Sequence, residues 1–274
     1  MNMKKFAAVI VVICAVFFLA RGYFVEKPVL HIGMECDYAP NNWEEKNPTD
    51  SNMPLVNHEG FYAEGYDLQV AKVIAKRLGY KLEVKKIAWG DLLNALNQNE
   101  IDAIFSGMLD TLERRQVAAF SETYEIDRTK YGICVNTDTK YKDAKTLDDF
   151  SGARFTGQNG TNLYSAIEQI PGAIQLEAVD TVSEMLDMLT SGRVDAIVIN
   201  LDTGLSYERR FNNVKLIELP EGKGFKFDFK GICAGVRKKD TKLLNDINSA
   251  LGKMSRNERQ QLMNKAISQL WKNN

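Results

Sequence analysis

Apolar Leu68, Ala71, Ala75 and Leu78 fall on one face of a helix predicted over residues 67–78, and Gly79 supplies its stop. Strands are expected on either side of it, at 29–34 and 82–87. A helix around 91–97 and a strand at 101–105 continue the alternation. Between the first strand and the first helix, the stretch up to about Glu64 is rich in Asn, Pro, Asp and Glu and reads as a loop. The same plan returns later as strand 153–157, helix 163–170, strand 174–179, helix 182–190 and strand 194–199. Beyond Gly231 the pattern gives one strand, 232–237, and two amphipathic helices, 242–254 and 257–272. Consecutive β-α-β units predict parallel sheets with right-handed crossovers.

The two halves also share a phrase. ALNQNEIDAIFSG at 95–107 returns, loosely rewritten, as MLTSGRVDAIVIN at 188–200, without a gap. A repeat this long exceeds any solenoid unit and points to two similarly wound lobes in one α/β chain. Ligands of open α/β sheets sit beyond the carboxyl ends of strands. Ser106 and Gly107 hold that place in the first copy, Ile199 and Asn200 in the second. Two such ends facing each other form a cleft, which suggests ligand capture between lobes.

The N-terminus changes the picture of where this happens. Lys4 and Lys5 precede an apolar run from Phe6 to Ala20, and Arg21 follows. Fifteen residues are short for a bilayer span of about 20, and Ala20 and Gly22 suit a signal peptidase, so residues 1–22 read as a signal peptide or a membrane anchor. Cys14 follows bulky Ile13, which argues against a lipid anchor there. Without those residues, 32 basic side chains face 36 acidic ones, a net charge of −4. That balance argues against nucleic acid. Cys36, Cys134 and Cys233 show neither a metal framework nor an assignable disulfide.

The densest polar cluster runs from Ser106 to Arg115 and carries a helix-start signal at Asp110 or Thr111. Arginine in a first helical turn opposes the dipole, and an anionic ligand reverses that penalty. Arg114 is the candidate anion binder, and Arg115 reads as a solvated surface charge. Asn159-Gly160-Thr161 reads as a tight turn before a helix. His31 and His58 have no nucleophile pattern near them, so neither suggests catalysis.

Gly33–Trp43, Gly65-Tyr-Asp67, Ser106-Gly-Met108 with Thr111-x-Glu-Arg114, and Phe120-Ser121 together resemble the extracellular amino-acid-binding proteins of ABC importers. Gly157-Gln158, Gly160-Thr161 and the segment 259–269 resemble the same family, so the likeness runs from about Val29 to the C-terminus. It implies a two-lobed, type II periplasmic-binding-protein fold, each lobe a mostly parallel sheet flanked by helices and joined to the other by two hinge strands. The implied boundaries are 29–128 and 231–274 for one lobe and 129–230 for the other, with hinges at 124–130 and 229–231.

The resemblance also assigns roles. Arg114 clamps a ligand carboxylate, while Ser106, the Gly107 carbonyl, Gln158 and groups around Thr161 complete a polar shell. Tyr38 and Trp89 match aromatics that sandwich the ligand side chain, and Trp43 either lines the pocket or pins its loop. Glu35 matches an acidic position that pairs with a ligand ammonium or guanidinium; an internal lysine bridge is the alternative. Two residues depart from the pattern. Leu109 stands where Thr or Ser is usual, and Asn200 where an acid meets the α-ammonium. A standard α-amino acid, an N-modified one and a carboxylate without the amine all stay open.

The implied function is a non-catalytic receptor, exported to the periplasmic or extracellular face, that hands an amino acid or related carboxylate to an ABC permease. No cofactor and no metal are called for. The alternatives are a cyclohexadienyl-dehydratase-like enzyme on the same scaffold and a membrane-anchored sensor module.

Overall fold

The computed structural model describes residues 27–125, 131–220, 222–227 and 231–272. The leader at 1–22 lies outside them, as does most of each expected hinge. In chain order come β1 (Val29–Met34), β2 (Asp37–Tyr38), β3 (Asn42–Glu45), β4 (Met53–Pro54), β5 (Tyr62–Glu64), α1 (Tyr66–Leu78) and β6 (Lys81–Lys86). They are followed by α2 (Leu92–Asn97), β7 (Ala103–Ile104) and β8 (Ala119–Phe120). The second half holds β9 (Tyr131–Asn136), β10 (Arg154–Thr156), α3 (Asn162–Ser165), β11 (Ile174–Gln175), α4 (Val182–Thr190), β12 (Ala196–Asn200), α5 (Leu201–Arg210) and β13 (Val214–Glu218). Strand β14 (Gly235–Val236) and helices α6 (Thr241–Gly252) and α7 (Arg256–Lys272) close the chain.

Two five-stranded sheets have the same construction. The first runs β6-β1-β7-β14-β8 and the second β11-β10-β12-β9-β13. In each, three parallel strands are followed by antiparallel ones. The repeated phrase puts β7 and β12 at the centre of their sheets. Its aspartate explains why the phrase recurs. The Asp102 carboxylate accepts the His31 N–H at 3.0 Å and an Arg237 N–H at 3.0 Å. Asp195 accepts the Arg154 N–H at 2.8 Å and a guanidinium N–H of the same residue at 2.8 Å. Each carboxylate ties its strand's start to the neighbouring strand. Burial opposes ionisation of both, but these donors outweigh it and hold both carboxyls below the usual range.

Helix α1 covers the first sheet with Leu68, Ala71, Ile74 and Ala75. It ends where Gly79 turns left-handed and returns its N–H to the Ala75 and Lys76 carbonyls. Helices α6 and α7 pack on the same core through Ile247, Leu251, Met263 and Leu270. The second lobe builds its core from Phe150, Phe155, Ala196 and Val198 on one side of its sheet. On the other, Met185, Leu189, Ile197 and Ile199 pack together.

Several expected elements need correction. The presumed loop up to Glu64 holds a four-stranded sheet, β2-β3-β5-β4. Its buried residues mix polar Asn42, Ser51 and Glu64 with apolar Trp43, Leu55 and Ala63, so no clean apolar alternation marked it. Strands expected at 101–105, 174–179 and 232–237 shrink to two residues each, and the helix expected at 163–170 divides into α3 and a 3₁₀ turn at Ala166–Gln169. Helix α5 and strands β8, β9 and β13 were not anticipated. No helix among the described residues is long and apolar enough to cross a membrane.

Candidate ligand-binding site

The carboxyl ends of β1, β7, β10 and β12 converge on one cleft. First-lobe residues Glu35, Tyr38, Trp89, Ser106, Gly107, Leu109 and Arg114 line one wall, and Gln158, Thr161 and Asn200 line the other. The structure therefore brings together all ten residues singled out from the sequence. It adds Asn162 and five apolar residues of the second lobe, Leu163, Val182, Met185, Val198 and Ile199.

Arg114 dominates the chemistry. It sits on a short 3₁₀ turn, Arg114–Gln116, and not in the first turn of an α-helix as the sequence suggested. No helix dipole opposes it; desolvation does. The residue is only 9% exposed, and burial pushes its pKa down to about 10. Its guanidinium donates to the Leu109 carbonyl at 2.9 Å and to the Gly160 carbonyl of the second lobe at 2.9 Å. The Trp89 ring lies 5.0 Å away. No carboxylate pairs with it among the described residues. A guanidinium has five N–H donors, so three remain for an anion.

Arg115 is exposed at the surface, as expected from sequence, but it is paired. It forms a two-pronged ion pair with Asp110, whose side chain is 7% exposed. Removing the arginine leaves a buried acceptor without its partner, a loss of about 1–3 kcal/mol. Arg115→Ala should lower the unfolding midpoint in denaturant and leave ligand affinity within about 1 kcal/mol. Affinity falling as far as in Arg114→Ala would contradict that division of labour.

The backbone around Arg114 is fitted to the cleft. Gly107 has φ +63°, and the Tyr38 ring lies 3.3 Å from where a Cβ would project. Glycine is required there on both counts. The Ser106 hydroxyl accepts the Glu35 N–H at 2.9 Å, tying the ends of β7 and β1 together. Across the cleft, the Thr161 hydroxyl accepts the Tyr164 N–H at 3.2 Å and donates to the Gln158 carbonyl at 2.8 Å. It caps α3 and shapes the loop that carries Gln158. Trp43 points into the first-lobe core and donates to Glu45 at 2.8 Å, so it pins its loop.

A family model for bacterial extracellular solute-binding proteins, family 3, matches residues 30–269. The chain belongs to that family. The arginine-binding extracellular protein ArtP of Bacillus subtilis is 26% identical over 93% of this chain and 94% of its own length. The L-cystine-binding protein TcyA of the same organism is 28% identical over 84% of this chain and 77% of its own. A solved ancestral arginine-binding protein bound to arginine superposes with a TM-score of 0.70 at 27% identity, covering 87% of this chain and 98% of that one. Family 3 membership places the chain among exported solute-binding proteins with the type II two-lobed fold.

In this family 3 chain the lobes touch around the cleft. The Gln158 amide donates to the Glu35 carboxylate and, at 3.1 Å, to the Asp180 carbonyl. Asp37 accepts both the backbone N–H, at 2.9 Å, and the hydroxyl of Ser183 in the first turn of α4. Among the described residues no lysine forms an ion pair with Glu35, although the charge of Lys86 acts on it. Asn200 ends β12 at the N-cap position of α5, where its side chain makes no capping hydrogen bond. Cys36, Cys134 and Cys233 are buried, and the Cys134 and Cys233 thiols donate to the Gly204 and Gly231 carbonyls. His31 pairs with Asp102 and Glu83, and His58 with Glu44, all outside the cleft. Among the described residues no His, Cys, Asp and Glu cluster is placed to hold a metal.

Two buried carboxyls make stability depend on pH. Burial raises Glu35 to about 7 against the pull of its Gln158 hydrogen bond. Asp67 reaches about 7 for the same reason, although Tyr124 and Asn42 donate to it at 2.7 Å each. Unfolded carboxyls titrate near 4. Between about pH 4 and 7 the folded chain keeps protons that the unfolded chain has lost. The stability these groups contribute is therefore complete below about pH 4 and is lost as pH rises through 7, by about 1 kcal/mol per pH unit for each group. Thermal unfolding should give a lower midpoint at pH 7.5 than at pH 5, with a smaller drop in Glu35→Gln. A midpoint that rises over this interval would contradict the assignment.

Proposed function

We propose that this chain is the capture component of an ABC importer and binds an amino acid or related carboxylate between its lobes. The observation that carries this reading is Arg114, a buried cation at the strand ends with no acidic partner among the described residues and two of its five N–H donors spent on carbonyls. A ligand carboxylate supplies the missing charge through a two-pronged contact. Tyr38 and Trp89 flank the ligand, and the permease receives the closed, loaded form. Residues 29–128 with 231–274 move as one lobe, 129–230 as the other, and the chain acts on the outer side of the cell membrane without catalysing a reaction. Relatives named for arginine and cystine binding support the ligand class and leave its identity to the pocket.

A thermal-shift screen of amino acids, N-modified amino acids and short carboxylates tests this directly. A ligand at 100 times its Kd stabilises the folded state by about 2.7 kcal/mol. Small-angle scattering should also show a smaller radius of gyration at saturating ligand, because closure shifts the population. An unchanged radius despite binding would mean a pre-closed pocket. A second reading draws on Glu35, a buried carboxyl near neutrality that suits a proton donor. Loss of water together with CO2 from a carboxylated cyclohexadienol on incubation, leaving an aromatic ring, would favour a dehydratase; binding without turnover favours the receptor.

A further inference from the structure

The cleft contains one cation and one acid. Arg114 and Glu35 are its only charged lining residues among those described, and every other lining group is neutral. Glu35 is itself engaged, because Gln158 reaches from the second lobe and donates an amide N–H to its carboxylate. The amide is held on its other side by the Asp180 carbonyl at 3.1 Å. Gln158 thus occupies the place beside Glu35 that a ligand cation would need. The wall around Asn200 offers a neutral amide, flanked by Val198, Ile199, Val182 and Met185.

Resting on the carboxylate-receptor reading above, we infer that the pocket selects a ligand with one carboxylate, at most one cationic group and an uncharged, largely apolar tail, and that Gln158 enforces the exclusion of dibasic amino acids. Arginine or lysine brings two cations to a cleft with one acid. One of them is buried without a counter-charge, which is strongly unfavourable in a desolvated site. The other must displace the Gln158 amide to reach Glu35. A ligand of net charge −1 meets neither penalty, and a zwitterion of net charge zero meets only one of them. The aliphatic wall then covers its tail, and one ammonium, if present, finds Glu35, the Gly107 carbonyl or Asn200.

Calorimetry with L-arginine, L-lysine, L-methionine, N-acetyl-L-methionine and pentanoate decides the matter. At least one of the last three should bind about 30-fold or more tightly than arginine and lysine, the lower end expected for an unpaired buried charge. Arginine or lysine as the tightest of the five overturns the inference and leaves the receptor reading intact. No binding by any of the five overturns the receptor reading itself. Gln158→Glu adds a second acid, and Gln158→Ala uncovers Glu35. Each should move the arginine-to-methionine affinity ratio toward arginine by about tenfold, an effect that lost packing alone does not produce. An unchanged ratio in both variants, with wild-type unfolding midpoints, would show that Gln158 only spans the lobes.

Discussion

Arg114→Ala is expected to abolish measurable ligand binding. The guanidinium is buried, faces the cleft, and lacks any acidic partner within the described protein. A bound carboxylate would therefore depend on it alone for charge. Removing one member of a buried, hydrogen-bonded charge pair costs about 2–5 kcal/mol, a loss of roughly 30-fold to several thousandfold. Arg114→Lys should recover little, because a point charge replaces the planar fork and cannot reach the Leu109 and Gly160 carbonyls as well as a ligand. Calorimetry on both variants, with circular dichroism confirming the fold, gives the answer. Affinity within threefold of the parent, about 0.7 kcal/mol, would remove Arg114 from the site.

Gly65→Ala should have the largest effect on stability. Gly65 adopts φ +121°, and a Cβ there would lie 2.7 Å from the Asn41 carbonyl carbon and the Asn42 Cα, with the Asn41 oxygen closer still. Backbone strain contributes about 1–3 kcal/mol and the forced displacement about 1–3 more, so a total near 4 kcal/mol is expected. The damage would spread. Asn41 accepts the Asp67 N–H at 2.8 Å, and the Asn42 amide donates to the Asp67 carboxylate at 2.7 Å. That contact anchors β3 and the Tyr38 loop to α1. Urea denaturation should show the loss, and a change below 1 kcal/mol would mean the chain relaxes there freely.

Much of this molecule was readable in its sequence because periodicity and charge are local signals. The helical face of α1 and the 93-residue offset between the two copies needed no tertiary information. The aspartates of that repeat, each tying a strand to its neighbour, give the pattern a physical cause. The small polar sheet before α1 escaped notice because its stability rests on buried hydrogen bonds, such as Ser51 and Thr49 to Glu64, and not on apolar alternation. Arg115 was rightly placed at the surface, but its partner was missed for a related reason. Asp110 is five residues away and buried in the folded chain. Gln158 on Glu35 spans 123 positions, and Val182 and Met185 line the same cleft as Arg114 from the other lobe. Contacts between lobes leave no periodic trace.

The central claim is that one carboxylate is held by Arg114 between the two lobes. A crystal structure grown with the tightest-binding compound of the calorimetric panel tests it most directly. The account predicts ligand density between Tyr38 and Trp89, with its carboxyl oxygens within hydrogen-bond distance of the Arg114 guanidinium and its tail against Val182 and Met185. A ligand outside this cleft, or inside it with the carboxylate turned away from Arg114, would contradict the account.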